Sequence, residues 1–188
     1  MPSAPRRTRR RRWTSSAVLV WVLAACLVAP SVAAGSLTFS RADGSPIDFA
    51  GRARAWCGRW SPEVGRRSVH VELLSGRRAR WEMRGVLSDL HSHPRVRFPD
   101  DFVFDHPRGA LLFVAAPGGI EASSAEEESS GSISFSHLGC RRGGVLEFTV
   151  QATLGSELFE GETVSVSGTY RGRIGAAPAA IPARPFPR

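Results

Sequence analysis

A chain of 188 residues has room for one domain and a processing segment, and its formal charge of +8 at first suggests a nucleic-acid partner. The position of the charge excludes that reading: Arg6, Arg7, Arg9, Arg10, Arg11 and Arg12 precede residue 13 with no acid near them, and residues 35–188 carry 19 arginines against 17 acids. Lysine and asparagine are both absent, so no N-glycosylation sequon can occur.

Residues 1–34 form a processing signal. An arginine-rich start is followed by the apolar run Ala17 to Ala29, then Pro30 and the small residues Val32-Ala33-Ala34. This is the three-part pattern of a secretory signal peptide, with cleavage expected after Ala34. Two alternatives stay open. Leu23-Ala24-Ala25-Cys26 resembles the lipobox of bacterial lipoproteins, which would make Cys26 a lipidated first residue. Ala17 to Ala34 is also just long enough for an uncleaved membrane anchor. Each version implies export, to the periplasm, the exterior or a membrane surface.

Downstream, the dominant signal is a period of two. Side chains that alternate apolar and polar face opposite sides of a strand. Ser36 to Ser40 alternates and is followed by an Asp43-Gly44-Ser45-Pro46 turn. Arg52 to Cys57 alternates next. Ser68 to Leu74 and Arg77 to Met83 flank Ser75-Gly76 and predict a hairpin, with Val69, Val71 and Leu73 on one face of the first arm and Ala79, Trp81 and Met83 on one face of the second. On this parity His70 belongs to the wet side. Gly85 to His91 is undecided between a helical turn and a link.

Phe102 and Phe104 share parity. Ala110 to Ala115 is continuously apolar, as in a strand at a sheet centre. Pro117 to Gly131, with Glu126-Glu127-Glu128, is expected to be a polar loop. An antiparallel meander follows: Ile133 and Phe135; then Leu146, Phe148, Val150 and Ala152; then Val164, Val166, Tyr170 and Ile174. The proline-rich Ala176 to Arg188 is expected to be a disordered tail. About eight short strands with almost no helix predict an all-β domain over residues 35–175, an antiparallel β-sandwich or, failing that, a barrel. The run Val164-Ser-Val-Ser-Gly-Thr-Tyr170, with Gly131-Ser-Ile-Ser-Phe135, resembles the paired strands of small exported bacterial β-domains of unknown function, which implies a fold and no activity.

Without Cys26, Cys57 and Cys140 are the two remaining cysteines. Each ends a predicted strand, and an even count in an oxidising compartment predicts a disulfide between them.

Candidate chemistry is sparse. Ser88-Asp-Leu-His-Ser-His-Pro94 is the one stretch with metal-site character. Asp89 to His93 is similar to the first motif of PHP phosphoesterases, but that β/α barrel needs more chain and more helix than follows. His91-Ser92-His93-Pro94 resembles the zinc motif of JAMM-type isopeptidases. The resemblance implies a zinc held by His91, His93 and Asp105, with Glu72 or Glu82 as base, and hence a small metal-dependent hydrolase. Phe102 stands where that family has a serine. A nucleophile elbow and a phosphate loop are absent. Trp56, Trp60 and Trp81 are candidates for a sugar platform or for the core.

Charge is segregated. Arg52 to Arg97 holds 11 arginines and 4 acids, and Asp100 to Glu128 holds 7 acids and 1 arginine. The first segment suggests a basic face for an anionic glycan, a lipid head group or an acidic protein surface. The expectation is therefore an exported, non-enzymatic binding or structural protein with no bound metal, cofactor or nucleic acid. The zinc hydrolase is its alternative.

Overall fold

Alternation becomes strand through most of the described residues, and one long strand decides how the sheet is joined. The structure is a computed structural model describing residues 36–49, 51–61, 63–75, 79–100, 106–156 and 161–178. The expected signal segment with Cys26, residues 102–105 and most of the expected tail lie outside these residues.

The first half comprises β1 (Leu37–Arg41), β2 (Arg52–Arg59), β3 (Arg67–Ser75), β4 (Ala79–Val86), the helix α1 (Leu87–Ser92) and β5 (Arg95–Phe98). The second comprises β6 (Ala110–Ala116), β7 (Ile120–Ser123), β8 (Ser130–Leu138), β9 (Val145–Ser156) and β10 (Thr163–Arg173). The expected hairpin is β3–β4, with Val71 opposite Met83 and Leu73 opposite Trp81. The expected meander is β8–β9–β10. Two strands are additions. β7 falls inside the stretch expected to be a loop, and β5 follows the helix. Each has only four residues, and although β5 alternates as Arg95-Val96-Arg97-Phe98, so short a run is weak evidence by itself.

All pairings between strands are antiparallel, as expected. Hydrogen bonding runs unbroken in the order β1-β10-β9-β7-β6-β4-β3-β2, with β8 and β5 branching from β9. The result is one curled sheet, a half-barrel; the pairing does not divide it into the two sheets of the expected sandwich. The cause lies in β9. Its 12 residues are long enough to serve two neighbours on one edge: β8 takes Leu146 to Thr153 and β7 takes Gly155 and Ser156.

The inner faces of the curl form the core. Trp81 on β4 meets Phe148 on β9 and Phe39 on β1, with ring centroids 6.2 and 5.9 Å apart, and Phe148 stacks on Tyr170 at 5.1 Å. Burying side chains of this size contributes roughly 2–3 kcal/mol each. The ends of the curl are tied twice. Gly175 donates its backbone N–H to Ala55 at 2.8 Å, and the predicted disulfide joins Cys57 to Cys140 with Cα atoms 5.7 Å apart.

Candidate functional site

The helix α1 exists because Leu87 and Leu90 are spaced to bury one side of a short turn while Ser88, His91 and Ser92 face out. Pro94 stops it, since the residue before a proline disfavours the helical region. Asp89 anchors the helix: its carboxylate accepts from Arg66 at 2.9 Å and from the Gly109 backbone N–H at 3.2 Å. Arg66 also donates to the Pro107 carbonyl at 2.6 Å. The loop before β3 and the start of β6 are thus fastened to the same helix.

Two open hollows flank α1. The first, about 610 Å³, is lined by Arg66, Arg67, His91 and Arg141, with Leu87 and Cys140 supplying apolar wall. The second, about 740 Å³, is lined by Arg66, Arg95, Arg97, Arg108, His93 and Asp100 among others. Arg67, Arg97, Arg108 and Arg141 are exposed, and none has a hydrogen-bond or ion-pair partner among the described residues. Such side chains repel one another weakly in water and attract any anion that enters between them.

The two histidines of the HSHP stretch part company here. His91 lines the first hollow and donates its Nδ1 hydrogen to the Leu87 carbonyl at 2.6 Å. His93, just past the helix, lines the second hollow. Asp105, the third ligand that the isopeptidase resemblance implies, lies outside the described residues. Among the described residues no three His, Cys, Asp or Glu side chains gather as a metal would need. Glu72 and Glu82, the implied bases, line neither hollow.

Those two glutamates belong to a separate cluster on the outer face of β3 and β4. Glu82, almost fully buried, takes Arg84 at 2.6 Å and Arg80 at 2.8 Å, and Arg80 also reaches Glu72 at 3.0 Å. The arginine-rich segment is therefore not one face. Arg80 and Arg84 are neutralised where they stand and Arg66 is paired with Asp89, while Arg67, Arg95 and Arg97 remain for the hollows.

His70 overturns its sequence reading most clearly: it is 1 % exposed. Its ring stacks on Trp56, and its Nε2 lies 2.7 Å from Ser68 Oγ and 3.1 Å from the Arg59 carbonyl. A carbonyl only accepts, so the proton sits on Nε2, and Nδ1 has no hydrogen-bond partner among the described residues. In that tautomer the imidazole cannot take a proton from Ser68, and Ser68 itself is inaccessible, so the pair is not a nucleophile and its base. Trp56, Trp60 and Trp81 are all buried and offer no sugar platform. Trp60 packs with Val86 and Leu111 in a second small core that covers this outer face.

Arg108 and Arg141 were missed by sequence reasoning. Arg108 is the lone cation in an acidic segment, and Arg141 belongs to a turn. Only the folding of both turns toward α1 brings them into use. No protein family, curated protein or solved structure matches the chain.

Proposed function

We propose that the chain is an exported, non-enzymatic binding protein of the cell envelope or exterior, which takes an anionic ligand in the cationic hollows beside α1. The observation that carries this reading is the set of four exposed arginines whose side chains have no partner among the described residues, Arg67 and Arg141 on one side of the helix and Arg97 and Arg108 on the other. Arginine suits the role: its planar fork meets a carboxylate, sulfate or phosphate with two parallel hydrogen bonds and keeps its charge at any ordinary pH. The Cys57–Cys140 disulfide supports export, because such bonds persist in oxidising compartments. We read the curl as sandwich-like in its layering, since Trp81 and Phe148 meet from opposite walls.

The test is calorimetric titration of the mature chain with a trimer of galacturonic acid, at low and at high salt. Binding is expected at low salt and should weaken steeply with added salt, as contacts between exposed charges are screened. The double variant Arg67→Gln/Arg141→Gln or Arg97→Gln/Arg108→Gln should lower the affinity about tenfold, which corresponds to ~1.4 kcal/mol. No binding by the wild type, or wild-type affinity in both variants, overturns the reading.

A further inference from the structure

The face of β5, β8, β9, β10 and β1 turned away from the core carries ordered rows of small polar groups. The strand registers set Arg97, Ser132, Gln151, Ser167 and Thr38 side by side in one row. A second row holds Arg95, Ser134, Thr149 and Thr169, and a third Ser130, Thr153, Ser165 and Ser40. All share the parity opposite the buried Ile133, Phe148, Val150, Val164 and Val166. Neighbours within a row are separated by one strand spacing, about 4.8 Å, so the five-residue row spans about 19 Å. Across it runs a shallow groove of about 560 Å³, bounded by Arg95 and Arg97 at one end.

The chemistry of the rows selects a ligand. Hydroxyl and amide groups both donate and accept, as sugar hydroxyls do. Several are already held in place: Thr38 Oγ1 lies 2.9 Å from Ser167 Oγ, Thr149 Oγ1 lies 3.2 Å from Thr169 Oγ1, and Arg95 donates to Ser132 Oγ at 3.4 Å. The spacing from strand to strand is close to the advance of one ring in an extended sugar chain. No aromatic side chain stands in these rows, which removes the stacking platform that single-stranded nucleic acids use. No acid stands in them either, and Arg95 and Arg97 end two of them. Both arginines also line the second hollow beside α1, so the groove and the hollow form one track.

We propose that this hydroxyl-lined face binds an extended acidic polysaccharide, its chain running across the strands from Arg95 and Arg97 toward Thr38. The proposal rests on the α1 hollows being an anion site and extends that site by the length of the rows. The mature chain is titrated with long polygalacturonate and with the trimer; dextran, single-stranded DNA and phosphatidylserine vesicles serve as comparators. The polymer is expected to bind at least tenfold more tightly than the trimer, and dextran not measurably. Gln151→Glu with Ser167→Asp sets two carboxylates in the middle row, away from the hollows. It should cost the polymer at least tenfold and leave the trimer within about twofold, a difference of ~1.4 kcal/mol against less than half that. The neutral pair Gln151→Val/Ser167→Val keeps strand propensity and should lower polymer affinity in the same sense. If both variants bind polymer as the wild type does, the face is not the site, although the hollows stand. Tighter binding of DNA or vesicles than of polygalacturonate overturns the glycan assignment. If neither trimer nor polymer binds, the anion site itself fails and this extension with it.

Discussion

Trp56 and His70 lie opposite one another on β2 and β3 and stack with ring centroids 5.2 Å apart and planes within 4°. Burial of the imidazole, reinforced by the charge of Arg84, pushes its pKa down from 6.5 to about 4. The ring is therefore neutral in the fold at pH 7. Between pH 6.5 and about 4 the unfolded chain binds a proton that the folded chain refuses, so stability falls as pH falls through that window and levels off below it. The loss from this one residue approaches about 3 kcal/mol. Denaturant unfolding at a series of pH values, with His70→Gln as reference, measures it. The wild type should lose stability relative to the variant on acidification, and parallel curves would contradict the account.

Glu82 and Glu147 make a second comparison. Glu82 sits between Arg80 and Arg84 with a side chain 4 % exposed, whereas Glu147 lies under Arg171, which is 65 % exposed. Glu82→Gln takes the carboxylate from between Arg80, which keeps Glu72, and the largely buried Arg84, and breaking such a buried pair costs roughly 3–5 kcal/mol. Glu147→Gln breaks a screened surface pair and should cost under about 1 kcal/mol. Urea midpoints of the two variants should separate widely. Equal midpoints would mean that the Glu82 cluster is solvated in solution.

The contrast between these residues also shows what a sequence can reveal. Val69, Val71 and Leu73 announce the inner face of β3 because period two is a local property, and Leu146 to Ala152 do the same for β9. The disulfide follows from counting cysteines. His70 and Ser68 share the other parity of β3 and read as wet. They are dry because the β2–β3 connection brings Trp60 over that face, a long-range event that no window of residues records. The curl is hidden for the same reason, since nothing local in β9 tells that one edge pairs with both β7 and β8. The hollows were half legible. The arginine-rich segment is visible, but the subtraction of Arg66, Arg80 and Arg84 by their acids, and the arrival of Arg108 and Arg141, belong to tertiary structure.

Gly168 tests how β1 is held. It lies mid-strand on β10 opposite Leu37 with φ of 129°, and a Cβ there would run into the Ser36 carbonyl. Gly168→Val has to change the backbone and push β1 away, at a cost of roughly 1–3 kcal/mol for the conformation alone. Thr169→Val, one residue on, removes only an exposed hydroxyl and its bond to Thr149 and should be nearly neutral. Amide exchange provides the readout: in Gly168→Val the β1 amides that bond to β10 should lose protection while β3 and β4 keep theirs. Unchanged protection of Leu37 to Arg41 would show that the close approach is not required.

The disulfide gives the largest expected effect. Cys57 on β2 and Cys140 in the β8–β9 turn are 83 residues apart in sequence. Closing a loop of that length restricts the unfolded chain by roughly 4.5 kcal/mol in the entropy model, taken as an upper figure. β2 ends the path of paired strands, and a short bridge also joins its Ala55 to Ile174, just past the end of β10. The double variant Cys57→Ser/Cys140→Ser should therefore lose several kcal/mol, a large share of the roughly 5–15 kcal/mol that holds a domain together. The loss should be centred on β2, whose amides exchange first, with β8, β9 and β10 still protected. In unreduced residues 35–188 neither thiol should titrate. A variant that unfolds at the wild-type midpoint would transfer the closure of the curl to Ala55 and Ile174, and Ile174→Ala would then become the damaging substitution.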